Sequence, residues 1–166
     1  MARKVSDEFY ALSAKDMNGN DYKFEKLRDN VVLIINSATK CGFATTTFEN
    51  LVALAERYHD KNLKILLFPC SQFRNQELED SEKVRKNIER YSKEFIVFEK
   101  VDVKGENAHP VFKFLIKHLK GTITDNVKWN FTKFLIDQNG IPTKRYGPME
   151  PVNVDDPLIE DLLADN

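Results

Sequence analysis

The sequence predicts an α/β protein layered around one central sheet, and three observations carry that expectation. The first is Val31-Val32-Leu33-Ile34-Ile35, a branched apolar run with no solvent face. It has the pattern of a strand covered on both sides in a mainly parallel sheet. The second is the recurrence of Phe48, Leu51, Val52, Ala55 and Tyr58 at spacings of three and four, the period of a helix with one buried face. The third is Leu63-Lys64-Ile65-Leu66-Leu67-Phe68, an apolar run closed by Pro69, whose ring lacks the N–H that a strand ladder needs. Strand, helix and strand make a βαβ unit with a right-handed crossover.

The remaining elements fit around that unit. Between Phe9 and Phe24 two short runs flank Asn18-Gly19, the dipeptide of tight hairpin turns, so an N-terminal β-hairpin is expected. Pro69 to Glu77 is too polar and irregular for helix or strand, and reads as a loop at the sheet edge that also carries Cys41. Asp80 or Ser81 caps a helix with Val84, Ile88 and Tyr91 on its apolar side. Phe95 to Val103 reads as a strand or extended connection. Asn107 is placed to cap, and Pro110 to open, a helix reaching about Leu119. Trp129 to Ile136 and Ile141 to Tyr146 read as two strands joined through Asp137-Gln138-Asn139-Gly140, with Pro142 marking the second as an edge. Asp156 and Pro157 start a terminal helix whose Leu158, Ile159, Leu162 and Leu163 face inward. Residues 1–166 show no repeat, linker or low-complexity segment and are expected to form one domain.

The composition, 42% hydrophobic and 31% charged, is that of an ordinary globular chain, and the formal charge of -1 gives no global attraction to nucleic acid or membrane. Arg3 and Lys4 are not followed by an apolar stretch, so the N-terminus does not read as a secretory signal. Two cysteines, Cys41 and Cys70, are too few for a disulfide framework, which points to a reducing, cytoplasmic setting. His59, His109 and His118 have no metal-ligand spacing with one another or with the cysteines, and no metal is expected.

Chemistry is expected at Cys41. It lies just before a helix start, where unpaired N–H groups and the helix dipole stabilise an anion, and Lys40 adds a charge next door. A thiol there should ionise readily and act as a nucleophile. Position alone leaves an inert, packed cysteine equally open.

Six blocks then bear on the choice: Cys41-Gly42-Phe43, Phe68-Pro69-Cys70-Ser71-Gln72-Phe73, Gln76-Glu77, Gly105-Glu106-Asn107-Ala108-His109-Pro110, Lys128-Trp129-Asn130-Phe131-Thr132-Lys133-Phe134-Leu135 and Lys144-Arg145-Tyr146-Gly147-Pro148. In this order they resemble the glutathione peroxidase family, across nearly the whole chain. The resemblance implies a thioredoxin-like fold, a central mixed sheet flanked by helices. It makes Cys41 similar to the peroxidatic residue, which is selenocysteine in many relatives, and Gln76, Trp129 and Asn130 similar to the rest of a catalytic tetrad. Without it, Trp129 reads as a core aromatic, and Gln76 and Asn130 as residues serving their own backbone.

Three departures from the family pattern shape the expectation. Thioredoxin-dependent relatives carry a resolving cysteine where this chain has Ile88. Ser71 replaces an Asn, and Arg74-Asn75 replace a Gly-Gly pair before Gln76. The connection from Lys117 to Lys128 lacks the insertion of tetrameric relatives, which implies a monomer of the phospholipid-hydroperoxide type.

The resulting expectation is an antioxidant thiol peroxidase that reduces hydrogen peroxide and organic or lipid hydroperoxides through a Cys41 sulfenic acid. No cofactor is implied; glutathione or another external thiol enters as co-substrate. Regeneration by thioredoxin-type proteins and a non-enzymatic redox sensor oxidised at Cys41 are the alternatives. A dithiol oxidoreductase would need a second cysteine where Cys41-Gly42-Phe43-Ala44 has none. Arg74, Lys128, Lys144 and Arg145 are candidates for holding a glutathione carboxylate or a phospholipid phosphate during peripheral contact.

Overall fold

A computed structural model describes residues 2–121 and 124–164. Its elements are α1 (Ala2–Tyr10), β1 (Ser13–Lys15), β2 (Asp21–Lys23), a 3₁₀ turn (Phe24–Leu27), β3 (Val31–Ser37), α2 (Ala44–Arg57), β4 (Leu63–Pro69), α3 (Ser81–Glu89), β5 (Ile96–Val97), α4 (Pro110–His118), β6 (Lys133–Ile136), β7 (Pro142–Tyr146) and α5 (Pro157–Leu163). Strands β1 and β2 form the expected antiparallel hairpin, and the other five form one sheet in the order β5-β4-β3-β6-β7.

All of β3 is buried, because it sits at the centre of that sheet. It runs parallel to β4, from Val31 opposite Leu63 to Ser37 opposite Pro69, and antiparallel to β6. The sheet is therefore mixed. Side chains alternate across a strand, and the two faces of β3 feed two apolar clusters. Val31, Leu33 and Ile35 pack with Phe48, Leu51 and Leu54 of α2, Ile88 of α3, and Ile159 and Leu163 of α5. Val32 and Ile34 pack with Phe9, Phe24, Phe68, Phe112 and Phe134. Pro142 lies on β7, an edge strand, where its missing N–H costs no ladder bond.

Three boundaries differ from the sequence reading. Phe9 and Tyr10 belong to helix α1, not to the hairpin, because their rings pack into the cluster of Val32 and Ile34 beside Phe24. Helix α4 is capped by His109, whose Nδ1 accepts from Val111 N, and not by Asn107. Strand β6 begins only at Lys133: Phe131 has a left-handed backbone (φ 64°), which ends any strand geometry, so Trp129 and Asn130 lie in a turn. Thr122 and Ile123, within the short connection on which the expectation of a monomer rests, lie outside the described residues. Among the described residues no helix is long and apolar enough to cross a membrane.

Helix α1 is fastened to the far end of the β6–β7 turn. The Tyr10 hydroxyl donates to Gln138 O at 3.3 Å, and Gly140 (φ 77°) lies under the same ring, where a Cβ would come within 2.6 Å of Tyr10 Cε2. Gly140→Ala should therefore destabilise the protein by about 2–4 kcal/mol, from a left-handed alanine and a displaced ring. Urea denaturation measures this, and a loss below about 0.5 kcal/mol, the range of neutral surface changes, would contradict it.

Candidate active site

Open α/β sheets present their sites beyond the carboxyl ends of parallel strands, and here β3 and β4 end side by side. Ser37 pairs with Pro69, and Cys70 N donates to Ser37 O at 2.9 Å. The chain leaving β3 leads to Cys41, and the chain leaving β4 leads to Gln76. The turn before β6 reaches the same edge from the other side, since Lys133 pairs with Ile35.

Cys41 lies in two successive tight turns that feed α2: its N–H donates to Ala38 O at 3.2 Å, and its carbonyl accepts from Ala44 N at 3.0 Å. It is 7% exposed, packed with Ala38, Ala44 and Phe48. The first turn of α2 holds no acidic residue to cancel the field of the helix start.

The second segment reaches Gln76 through Arg74 (φ 56°) and Asn75 (φ 51°), two consecutive left-handed residues. These are the positions where the family pattern that the sequence resembles has Gly-Gly, and here Arg and Asn carry the left-handed backbone. Lys40 N donates to Gln76 O at 2.8 Å and ties this loop to the one that carries Cys41.

The third segment is held by Asn36. This strand residue is fully buried, and its side chain takes the role of a backbone partner: Nδ2 donates to Trp129 O at 3.0 Å, and Oδ1 accepts from Thr132 N at 3.1 Å. Its own carbonyl accepts from Phe131 N at 2.7 Å. The turn thus fixed presents Asn130, whose Nδ2 donates to Gln76 Oε1 at 2.9 Å. Asn130 Oδ1 is buried without a partner in the protein, a costly state for an amide oxygen. Trp129 is half-buried, its ring against Phe73 at 5.6 Å between centroids.

Of the predicted set, then, Gln76 and Asn130 are in direct contact, Trp129 adjoins Asn130 on a fixed turn, and Cys41 lies on a loop bonded to Gln76. Cys70 belongs elsewhere. It is fully buried in the other cluster, its Sγ is 3.6 Å from Gln72 Oε1, and burial pushes its thiol up. Ile88 is also fully buried. Among the described residues no group of three or more His, Cys, Asp or Glu is arranged to hold a metal.

The cationic candidates divide. Arg74 and Lys128 are exposed, whereas Lys144 lies over the Tyr146 ring at 4.4 Å. Arg145 spends its guanidinium on the carbonyls of Leu119, Asp125 and Asn126, so it fastens a connection instead of awaiting an anion. Lys133 is the cation that the strand pattern conceals. It is 2% exposed, and its Nζ donates to the carbonyls of Gly147, Pro148 and Glu150 at 3.2, 3.1 and 2.8 Å.

A family model described as glutathione peroxidase matches residues 9–116. The chain belongs to the glutathione peroxidase family. It is 42% identical to a probable phospholipid hydroperoxide glutathione peroxidase of Encephalitozoon cuniculi over 95% of this chain and 89% of the relative. It is 43% identical to the glutathione peroxidase homolog BsaA of Staphylococcus epidermidis over 95% and 99%. Among solved structures, T. cruzi GPX1 superposes with a TM-score of 0.74 at 30% identity, covering 94% of both chains. A thioredoxin-family thiol:disulfide interchange protein from Chlorobium tepidum, at 13% identity over 91% of this chain and 92% of its own, has a TM-score of 0.67 and shares the thioredoxin-like fold.

Three buried polar residues that fasten segments at or near this edge, Asn36, Glu77 and Lys133, were given no role by sequence reasoning. The available signal was a polar residue inside or beside an apolar run, which needs a buried partner. Lys133 gives a measurable consequence. Burial lowers its ammonium to about 8, with Glu150 pulling weakly the other way. An unfolded lysine titrates near 10.4, so between about pH 8 and 10.4 the unfolded chain binds more protons and stability rises with pH. Urea midpoints should show wild type gaining on Lys133→Met from pH 7.5 to 9.5. Parallel pH courses would contradict the assignment.

Proposed function

We propose that Cys41 is the peroxidatic nucleophile of a thiol peroxidase that reduces hydrogen peroxide and organic or lipid hydroperoxides. The Cys41 thiolate attacks one peroxide oxygen and forms an S–O bond as the O–O bond breaks. The sulfur is oxidised to a sulfenic acid, and the other oxygen leaves with a proton as water or an alcohol. Trp129, Gln76 and Asn130 supply an indole N–H and two carboxamides, donors that stabilise the departing oxygen without competing as nucleophiles. The observation that carries this reading is the Asn130–Gln76 hydrogen bond, made by family-motif residues 54 positions apart at the edge reached by the Cys41 loop. Asn130 Oδ1, buried and without a protein partner, is an acceptor suited to a reactant's proton.

Ile88 stands where thioredoxin-dependent relatives have a resolving cysteine, so regeneration falls to external thiol. One glutathione condenses with the sulfenic acid, releasing water and leaving a mixed disulfide. A second attacks that disulfide, freeing Cys41 and oxidised glutathione. Residues 1–166 act as one domain and as a monomer. Two cysteines without a disulfide support a cytoplasmic setting, and removal of hydroperoxides would place the protein in the response to oxidative stress. Two relatives carry phospholipid hydroperoxide in their names, and peripheral contact with phospholipid suits the exposed Phe43 and Met149. They flank a groove of about 230 Å³ lined also by Thr46, Asn50 and Pro148.

Cys41→Ser should lower hydroperoxide turnover by more than about 1,000-fold, the scale of losing a covalent nucleophile, while Cys70→Ala stays within about threefold of wild type, since a buried inert thiol contributes packing alone. Coupled assays with glutathione and with thioredoxin decide the reductant. Wild-type turnover in Cys41→Ser would refute the nucleophile, and faster turnover with thioredoxin would refute the choice of glutathione.

A further inference from the structure

Glu77 is fully buried beneath the site, and the chemistry above gives it no task. Its Oε1 accepts from Thr39 N at 3.1 Å, from the Thr39 hydroxyl and from Leu78 N at 2.8 Å. Its Oε2 is buried without a partner. A chain bears the cost of a half-satisfied buried carboxyl only where the group has work to do.

Thr39 is two residues before Cys41, and Glu77 follows Gln76. The two Thr39 bonds therefore run beside the backbone bond from Lys40 N to Gln76 O. Together they join the turn that delivers Cys41 to the loop that delivers Gln76, and Gln76 in turn holds Asn130. Without Glu77, among the described residues the backbone bond from Lys40 N to Gln76 O is left to set the Cys41 turn against the carboxamide pair.

We propose that Glu77 is a positioning residue of the peroxide step, clamping the Thr39–Cys41 turn in register with Gln76 and Asn130. The proposal rests on Cys41 being the nucleophile. Cleavage of an O–O bond needs sulfur and donors aligned on one substrate, and small misplacements cost large factors. Alkylation of the same sulfur by iodoacetamide needs no such alignment. The two reactions therefore separate a lost register from a lost or unfolded thiol.

The test compares wild type, Glu77→Ala, Glu77→Gln and Thr39→Val in two single-turnover measurements: oxidation of Cys41 by hydrogen peroxide and alkylation by iodoacetamide. Glu77→Ala should lose about tenfold or more in oxidation, with alkylation within twofold of wild type. Glu77→Gln keeps an oxygen for the three donors, and burial already pushes the carboxyl up, towards its uncharged form. It should retain at least about a third of the oxidation rate. Thr39→Val, which removes one hydroxyl and keeps the fold if Glu77→Ala does not, should lose about threefold in oxidation alone. Equal losses in both reactions, or wild-type oxidation in Thr39→Val and in a folded Glu77→Ala, would overturn the proposal. Failure of wild type itself to react with peroxide, with its alkylation intact, would instead overturn the nucleophile.

Discussion

The site depends on the hydrogen bonds that leave the end of β3. A strand buried on both faces has its backbone committed to two neighbours, and at Asn36 the side chain extends that bonding sideways. With its own carbonyl on Phe131 N, Asn36 makes three bonds to one turn, so Trp129 and Asn130 are held by the most deeply packed strand of the sheet. Each such bond contributes only about 1 kcal/mol net, but a buried partner left unmade costs about 1–3. The turn has few alternatives.

From that anchor the geometry proceeds by short steps. Parallel pairing of β3 with β4 brings the Cys41 and Gln76 loops to one edge; Lys40 and Thr39 bond across to Gln76 and Glu77; Asn130 closes the set on Gln76. Every linking bond crosses between segments distant in sequence. Electrostatics agrees with this arrangement. The helix start beyond Cys41 carries no acidic side chain, and two carboxamides bring donors without charge. Cys70, the other thiol, is raised by burial and lies in the opposite cluster, away from the edge that carries Cys41.

The fold was legible where burial is one-dimensional. Val31 to Ile35, the spaced apolar residues of α2 and the proline after β4 gave the βαβ core directly, and Asp80 and Asp156 do cap α3 and α5. Gln76, Trp129 and Asn130 became candidates through family motifs alone, because no local pattern marks a loop amide as part of a site. Asn36 was hidden at the end of an apolar run, Glu77 behind Gln76, and Lys133 within a run that reads as strand. Each is explained by a partner far along the chain. Phe131 shows the same limit: its left-handed backbone follows from Asn36 and Thr132, not from phenylalanine's own preferences. Helix α1 was missed because Phe9 and Tyr10 suit strand and helix alike, and tertiary packing decides.

The central claim is that this edge of the sheet turns Cys41, and not Cys70, into the sulfur that meets peroxide. Trapping with dimedone after one equivalent of hydrogen peroxide, followed by peptide mass spectrometry, tests it most directly. A sulfenic acid adduct is expected on the Cys41 peptide and none on the Cys70 peptide. An adduct confined to Cys70 would contradict it.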